Sequence, residues 1–438
     1  MVDTAKITLW GTDVAAMAWE GSATTGSASF EYDAKFVRQG LEIAPLTMPL
    51  RANQVYVFPR GRMTNGDLDT FKGLPGLLAD CLPDKFGHAV INAWLARQGR
   101  DQDSFTPLER LLYIGTRAMG ALEFQPAVDG RLATSRPVDI ASMVDLAHQV
   151  ISKHSAFTTR MDDEADQTQA MLDILTIGTS AGGARPKAVI AINDNGDVIS
   201  GQADVPEGYS HWLIKFDGAG DIELGDTQGF GRVEYAYALM ARQAGIDMAP
   251  CRLLEEGGRA HFMTKRFDRK GNSKLHMQTL CGVAHYDYNL PGAYGYEQAF
   301  QVMRQLKLSK KEAAQMYRRM VFNVVARNQD DHTKNISFLM DRDGRWRLSP
   351  AYDVTYAHNP KGQWTNEHQM TINGKRSGFT LQDLITVGES ISLPRPKEII
   401  DEVVEAVSQW PTFARQVDVK TAWIEGIGVH HRLRLSSD

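Results

Sequence analysis

Asp330 and Asn335 stand five positions apart, and a second carboxylate, Asp353, follows twenty-three residues after the first. These residue types suit one reaction class. Phosphoryl transfer needs hard oxygen ligands for a divalent cation, positive charge on the phosphates, and a group that orients the attacking hydroxyl. A catalytic-loop Asp, an Asn five residues later and a further Asp beyond a short hairpin is the spacing used by protein kinases. Taken alone, an Asp-to-Asn spacing equally fits a polar surface loop. The flanking elements decide against that reading. Ser309 with Glu312 forms a capping box, and Met316, Met320, Val321, Val324 and Val325 share one apolar helical face. That helix delivers the chain to Arg327 and Asn328. A hairpin over Ile336–Met340 and Trp346–Leu348, turning at Asp341–Gly344, then carries it to Ser349 and on to Asp353.

The cations come from upstream. Lys215 lies inside the apolar strand His211–Phe216 and shares a face with Leu213, so its ammonium needs an anionic partner there. ATP phosphates and a helix carboxylate are the usual pair, and Glu234 in the following helix is the candidate carboxylate. A solvated edge lysine and a surface or first-turn glutamate are the competing readings. The stretch Ser180-Ala-Gly-Gly-Ala-Arg-Pro-Lys187 matches neither a Walker A loop nor GxGxxG. Its backbone N–H groups at Ala181, Gly182 and Gly183, with Lys187 or Arg185, suit phosphates; a plain turn is the alternative. A phosphate on Ser180 would place a dianion in the same loop and exclude the nucleotide's own phosphates. His332 reads either as a general base or as the histidine that orients the loop, and the second reading is preferred. With Lys334, it completes the candidate nucleotide-facing set. HExxH does not occur, so a metalloprotease is disfavoured. Gly178-Thr-Ser-Ala-Gly182 has the GxSxG spacing, but its loop opens into a strand and not into the helix of a nucleophile elbow, so a serine hydrolase is disfavoured as well.

The elements that must position these groups make an α/β (α+β) chain. Residues 1–60 alternate apolar and polar positions, with Ile7, Leu9, Phe30, Tyr32, Tyr56 and Phe58 on short strands. Helices follow over Ala89–Gln98, Pro107–Tyr113 and Asp162–Leu175. The Gly-rich loop opens into the strand Ala188–Asn193, turned back at Asp194-Asn-Gly196, and further strands lie near Cys251–Glu255 and His261–Phe267. A helix spans about Arg232–Gly245, and beyond residue 295 the pattern is mainly helical. A polar stretch near 126–137 marks a boundary. The expected division is a strand-rich part over 1–130, a region with the Gly-rich loop over 131–270, and a helical part with the catalytic loop over 271–438.

Composition bounds the rest. A chain of 438 residues exceeds what one core usually covers. Its 43% hydrophobic and 23% charged residues exclude a largely disordered chain. A net charge of −5 disfavours a large nucleic-acid surface, leaving a local basic patch or DNA contact through a partner. Cys81, Cys251 and Cys281 are far apart and without a CxxC pair, so they read as core thiols. No apolar run approaches the ~20 residues of a membrane span, and no charged n-region precedes an apolar block, so a cytoplasmic location is expected.

Several motifs together carry a family resemblance. The set Ser180–Lys187, His211-Trp-Leu-Ile-Lys215, Lys265-Arg-Phe-Asp-Arg269, Asn328-Gln-Asp-Asp-His-Thr-Lys-Asn335 and Tyr352-Asp353 resembles the HipA family of serine/threonine kinase toxins. Leu74-Pro-Gly-Leu-Leu-Ala-Asp80 with Leu82-Pro-Asp84, and Met119-Gly-Ala-Leu-Glu123, resemble that family's N-terminal region. The resemblance implies a protein-kinase-like fold in two parts, a mixed α/β N-terminal part and a mainly helical C-terminal part, with ATP and Mg²⁺ as cofactors. It implies Asp330 as catalytic base, Asn335 and Asp353 as Mg²⁺ ligands, and Lys215 on the ATP phosphates. Ser180 matches the family's self-phosphorylated, self-inactivating serine. Backbone groups of Lys265–Phe267 and the Phe267 ring would meet the adenine. Two departures stand out: Lys265 where members often carry Glu, and Arg185-Pro-Lys187 where Gln-x-Lys is common. The resemblance further implies a HipB-like helix-turn-helix antitoxin as partner, operator DNA reached through that complex at the nucleoid, and an aminoacyl-tRNA synthetase as protein substrate. A catalytically silent corepressor scaffold and a small-molecule kinase are the alternatives.

Overall fold

The structure, a computed structural model, describes residues 3–60, 69–83, 85–97, 99–101, 104–127, 137–144, 185–217 and 229–436. The expected helix Asp162–Leu175 and the loop residues Ser180, Ala181, Gly182 and Gly183 lie outside the described residues. The chain divides into two compact units. The first comprises Met1–Gln228, Leu254–Met277 and Asp341–Gly344; the second comprises Gly229–Leu253, Gln278–Met340 and Arg345–Asp438.

Among the described residues the first unit holds two five-stranded antiparallel sheets, besides a two-stranded ribbon of Arg269–Lys270 and Ser273–Lys274. One has the strand order β4-β3-β2-β1-β5, built from β1 (Thr4–Leu9), β2 (Thr12–Glu20), β3 (Ser27–Tyr32), β4 (Val55–Val57) and β5 (Leu122–Gln125). Only Trp10 and Gly11 connect β1 to β2, both at positive φ (52° and 80°). A two-residue hairpin loop with that geometry matches the right-handed twist of its strands, and glycine adopts it without a Cβ penalty. Ile7, Leu9, Phe30 and Tyr32 are all buried, as the alternation predicts. The helix Pro107–Ile114 starts at a complete capping box, Thr106 with Glu109, and carries Pro at its first turn.

The second sheet has the order β7-β6-β8-β10-β9, from β6 (Lys187–Ile192), β7 (Val198–Ser200), β8 (Ser210–Lys215), β9 (Cys251–Glu256, its Leu254–Glu256 half in this unit) and β10 (Arg259–Lys265). Its parity matters for the site. Ala188, Ile190 and Ile192 of β6, with Trp212 and Ile214 of β8, enter one buried apolar cluster with Val90, Ile91 and Leu95. Residues alternate across a sheet, so Lys187 on β6 and Lys215 on β8 belong to the opposite face. β10 stops at Lys265, two residues short of the expected Phe267. There the backbone turns around the buried Asp268.

The second unit is mainly helical. The helix Lys310–Val325 opens on the predicted capping box, with Ser309 accepting from the Glu312 N–H. Its apolar face, including Met316, Met320, Val321, Val324 and Val325, is fully buried, and each such side chain is worth about 1.5–3 kcal/mol of transfer free energy. The helix Pro396–Ser408 packs on it, and the helices Phe230–Gln243 and Trp410–Gln416 pack together. The predicted hairpin forms between Ser337–Met340 and Trp346–Leu348, with Phe338 opposite Leu348 and Met340 opposite Trp346. Cys81, Cys251 and Cys281 are all buried free thiols, in line with the core assignment. Among the described residues no helix is long and apolar enough to cross a membrane.

Candidate functional site

In the second unit the helix Lys310–Val325 ends at Ala326, and Arg327 takes a left-handed φ of 58° that swings the chain out of the helix. The emerging segment is held by backbone pairing. Gln329 N donates to Ala357 O (2.9 Å) and Ala357 N to Arg327 O (3.0 Å). Asn328 Nδ2 donates to Asn323 Oδ1 (2.9 Å), one helical turn back. The next four residues turn tightly, with a 3₁₀ segment at Thr333–Asn335.

That turn closes on Asp330. Asn335 Nδ2 donates to the Asp330 carbonyl (2.7 Å), so the two motif residues are bonded to each other. The Asp330 carboxylate stays accessible, its side chain 40% exposed, with His332 Nε2 3.7 Å from Oδ1. Its neighbour Asp331 has the opposite environment. Buried, it accepts from Tyr296 OH (3.0 Å), His368 Nδ1 (2.9 Å) and Gln369 N (2.8 Å). Burial alone would push this carboxyl up, but His368 and the three hydrogen bonds hold it below the usual carboxylate range. One carboxylate of the pair therefore anchors the loop while the other faces solvent.

Asp353 is delivered by the hairpin. Arg319 on the helix donates to Ser349 O (2.6 Å), Glu312 accepts from Leu348 N (2.9 Å), and Ala351 N donates to Asp247 O (2.7 Å). Tyr352 OH donates to Lys334 O (2.6 Å), tying hairpin exit to loop. Asp353 itself sits at φ 55°, a left-handed conformation that is disfavoured by roughly 1–2 kcal/mol for a residue with a Cβ. Such conformations persist where the surroundings fix them, often at functional positions. Asn335 and Asp353 line one cavity of about 30 Å³, together with Asn328, Asp331 and Tyr352.

The remaining second-unit candidates are placed as follows. His332 lies beside Tyr288, ring centroids 5.4 Å apart, and the Lys334 ammonium sits 4.7 Å over the Tyr288 ring. Glu234, on the helix Phe230–Gln243, is 1% exposed, which rules out the surface-glutamate reading.

In the first unit Lys187 and Lys215 are direct cross-strand partners on β6 and β8, and both are buried. Residues at paired positions of an antiparallel sheet share a face, so both side chains leave the sheet on the side opposite the apolar cluster. Phe267 is half-buried just past β10. The turn carrying it rests on Asp268, which is bonded to Arg266 Nη2 (2.7 Å), Arg269 Nη1 (2.7 Å) and Gly120 N (2.8 Å). Burial opposes the Asp268 charge, yet the two guanidinium groups keep its carboxyl far below the usual range. Arg269 also donates to Gly120 O (2.8 Å) and Ala118 O (3.0 Å). The two sequence motifs Lys265–Arg269 and Met119–Glu123 thus belong to one buried network.

Sequence reasoning left Asp331, Tyr296, His368, Gln369, Trp364 and Asp268 without roles. Only the Asp330-Asp331 pair gave a signal, since two adjacent carboxylates seldom share one environment. Tyr296, Trp364, His368 and Gln369 reach the Asp330–Asp331 pair from thirty or more positions away, and no spacing rule connects them.

Two family models cover most of the chain: the HipA N-terminal domain over residues 5–125 and the HipA-like C-terminal domain over residues 179–410. The second alone spans more than half of the sequence. The chain belongs to the HipA family. The HipA-fold assignment agrees with a solved structure, a Shewanella oneidensis MR-1 toxin–antitoxin complex of HipA, HipB and operator DNA. It matches with a TM-score of 0.65 at 14% identity, covering 97% of this chain and 95% of that one. The mixed α/β fold expected from sequence is the observed one, and it is the fold of that HipA. A curated relative, "Putative kinase Y4mE" of Sinorhizobium fredii, is 26% identical over 192 residues, which is 39% of this chain and 44% of that protein. The match thus spans under half of that relative's length. The Helicobacter pylori proinflammatory kinase CtkA is matched at 13% identity over 57% of this chain and 92% of that one, with a TM-score of 0.35.

Proposed function

We propose that this HipA-family protein transfers the γ-phosphoryl group of ATP to a serine or threonine hydroxyl of a protein. The carrying observation is the convergence in the second unit of Asn335 and Asp353 on one cavity wall, with the Asn335 amide gripping Asp330 (2.7 Å). An amide oxygen and a carboxylate are hard donors, fit for Mg²⁺, which takes one or two protein ligands and completes its shell with phosphates and water. Bound Mg²⁺ would neutralise phosphate charge as it shifts to the leaving group.

The chain's own residues then divide the work. Asp330, accessible and held at its carbonyl, orients the acceptor hydroxyl and takes its proton. Asn335 and Asp353 would hold the cation. The Lys187–Lys215 pair supplies positive charge for the nucleotide phosphates, backbone N–H groups of Ser180–Gly183 would add donors to them, and Phe267 with the Lys265–Phe267 backbone would meet the adenine. His332 and Lys334, packed on Tyr288, shape the loop next to Asp330. Ser180 is the site of self-phosphorylation, and a phosphate there would compete with nucleotide for the lysine pair.

The Shewanella HipA is seen with HipB and operator DNA, and by that likeness a helix-turn-helix antitoxin is the proposed partner here. A net charge of −5 suits DNA contact made mainly through such a partner. The proposed protein substrate is an aminoacyl-tRNA synthetase, met in the cytoplasm.

The test is γ-³²P-ATP with a host lysate, comparing wild type, Asp330→Asn and Lys215→Met, followed by identification of labelled proteins. Mg²⁺-dependent label on protein and on Ser180, reduced about 10²–10⁴-fold in Asp330→Asn, supports the reading. Undiminished transfer by Asp330→Asn refutes it. Label on metabolites alone makes the protein a small-molecule kinase, and no transfer at all leaves the silent scaffold.

A further inference from the structure

The oxygen of Asp330 that faces the protein is not left to solvent. Trp364 Nε1 donates to Asp330 Oδ1 at 2.9 Å. Among the described residues no hydrogen bond reaches the other oxygen, Oδ2. The indole is brought there by a short chain of bonds that starts at Asp331. Gln369 N donates to Asp331 Oδ1 (2.8 Å), and the Gln369 side-chain amide donates back to the Trp364 carbonyl and to Glu367 O (3.3 Å). His368, next to Gln369, donates to the other Asp331 oxygen (2.9 Å), and its backbone pairs with Arg376 through N to Arg376 O (3.1 Å) and O from Arg376 Nε (2.8 Å). At the far end Asn359 N bonds Thr365 O (3.1 Å), which closes the loop 359–365 on itself. The two adjacent carboxylates are therefore joined by a ring of contacts: Asp331 to Gln369, Gln369 to Trp364, Trp364 to Asp330.

We propose that Trp364 is a positioning residue for Asp330. Its indole N–H fixes Oδ1 and so aims Oδ2 at the acceptor hydroxyl, and buried Asp331 holds the Trp364 segment in register through Gln369. The inference rests on the reading of Asp330 as the catalytic base. An aspartate side chain that is 40% exposed would otherwise sample several χ rotamers. A donor on one oxygen selects one rotamer and leaves the other oxygen free to accept. Indole donates but cannot accept, so it never competes for the substrate proton. Phenylalanine removes the N–H and keeps most of the ring's packing.

The experiment uses the full chain. Trp364→Phe should lower kcat about 10–100-fold, leave KM for ATP within about twofold and keep the thermal midpoint of wild type. Gln369→Leu should act in the same direction by a smaller factor. In an Asp330→Asn background Trp364→Phe should produce no further loss. A readout independent of activity is the indole ¹H–¹⁵N resonance of Trp364, assigned by its absence in Trp364→Phe. It should move in Asp330→Asn, where the acceptor loses its charge. If wild type transfers phosphate and Trp364→Phe retains wild-type kcat, the inference is wrong while the kinase reading stands. Equal losses of kcat and ATP affinity, with a lowered midpoint, would mean a packing role and also overturn it. If wild type shows no transfer, the kinase reading and the inference fall together.

Discussion

Replacing Asp331 by asparagine changes one atom and tests how the loop is held. The carboxylate accepts from Tyr296 OH, His368 Nδ1 and Gln369 N at 2.8–3.0 Å in a buried site. The asparagine oxygen can stand in for Oδ2 and keep Tyr296 OH and His368 Nδ1, or for Oδ1 and keep Gln369 N. The Gln369 N–H, fixed in the backbone, is the least able to adapt, so the second orientation is expected. The new NH₂ group then faces two donors. Tyr296 can rotate its hydroxyl to accept, but it already accepts from Asn323 Nδ2 (2.9 Å), and its own proton is left without a partner. His368 can move its proton to Nε2, but that atom is buried with no hydrogen-bond partner among the described residues. Either way a buried donor is orphaned and two bonds to a charged acceptor are lost. Hydrogen bonds to charged groups are worth about 1.5–3 kcal/mol each, part of which rearrangement recovers, so the expected loss is about 2–4 kcal/mol. Urea unfolding followed by circular dichroism reads this as a lower midpoint at unchanged m. For a folding unit of 150–250 residues it corresponds to about 2–4 °C in Tm per kcal/mol. Phosphoryl transfer should fall as well, since Asp331 holds both the loop and the Trp364 segment. A loss below about 1 kcal/mol with full activity would refute the anchoring role.

Two further outcomes follow from the buried groups. Asp268→Asn leaves Arg266 and Arg269, whose side chains are 2% and 6% exposed, without their carboxylate. Stranding buried guanidinium groups should lower stability by about 3–5 kcal/mol. The same variant should flatten the acid limb of stability against pH. The folded-state carboxyl of Asp268 is depressed, so its contribution is complete above the unfolded value near ~3.9 and is lost as pH falls through the lower folded value. Urea midpoints measured between pH 7 and pH 2.5 check both. The three cysteines are buried, and burial, with Asp80 nearby, pushes the Cys81 thiol well up. Under native conditions a thiol reagent should therefore label none of them at the rate of an exposed cysteine, and all three should react in urea.

Much of the second unit was legible because local chemistry writes it. The Ser309–Glu312 box, the 3.6-residue apolar stripe to Val325 and the Asp341–Gly344 turn each act within a few residues, so pattern alone placed helix, loop and hairpin within one or two positions. The strand around Lys215 was legible for the same reason, expected over His211–Phe216 and found over Ser210–Lys215. The end of β10 was not, since it stops at Lys265, ahead of Asp268, whose carboxylate is bonded to Gly120 far upstream.

What sequence by itself determined is the set of groups, their types and their local elements: Asp330 and Asn335 on a loop, Asp353 at a hairpin exit, Lys215 on a strand and Lys187 at the end of the Gly-rich loop, which the structure makes the first residue of β6. Only tertiary structure decided which of two adjacent aspartates is buried and which is exposed. Residue identity cannot distinguish Asp330 from Asp331, because the difference lies in donors supplied from positions 296, 364, 368 and 369. Likewise, only the β6–β8 register set Lys187 opposite Lys215. Hydrophobic patterning and capping are short-range and leave a trace in the chain's own order. The pairing of a buried charge is a long-range requirement, and any segment that folding brings near can satisfy it.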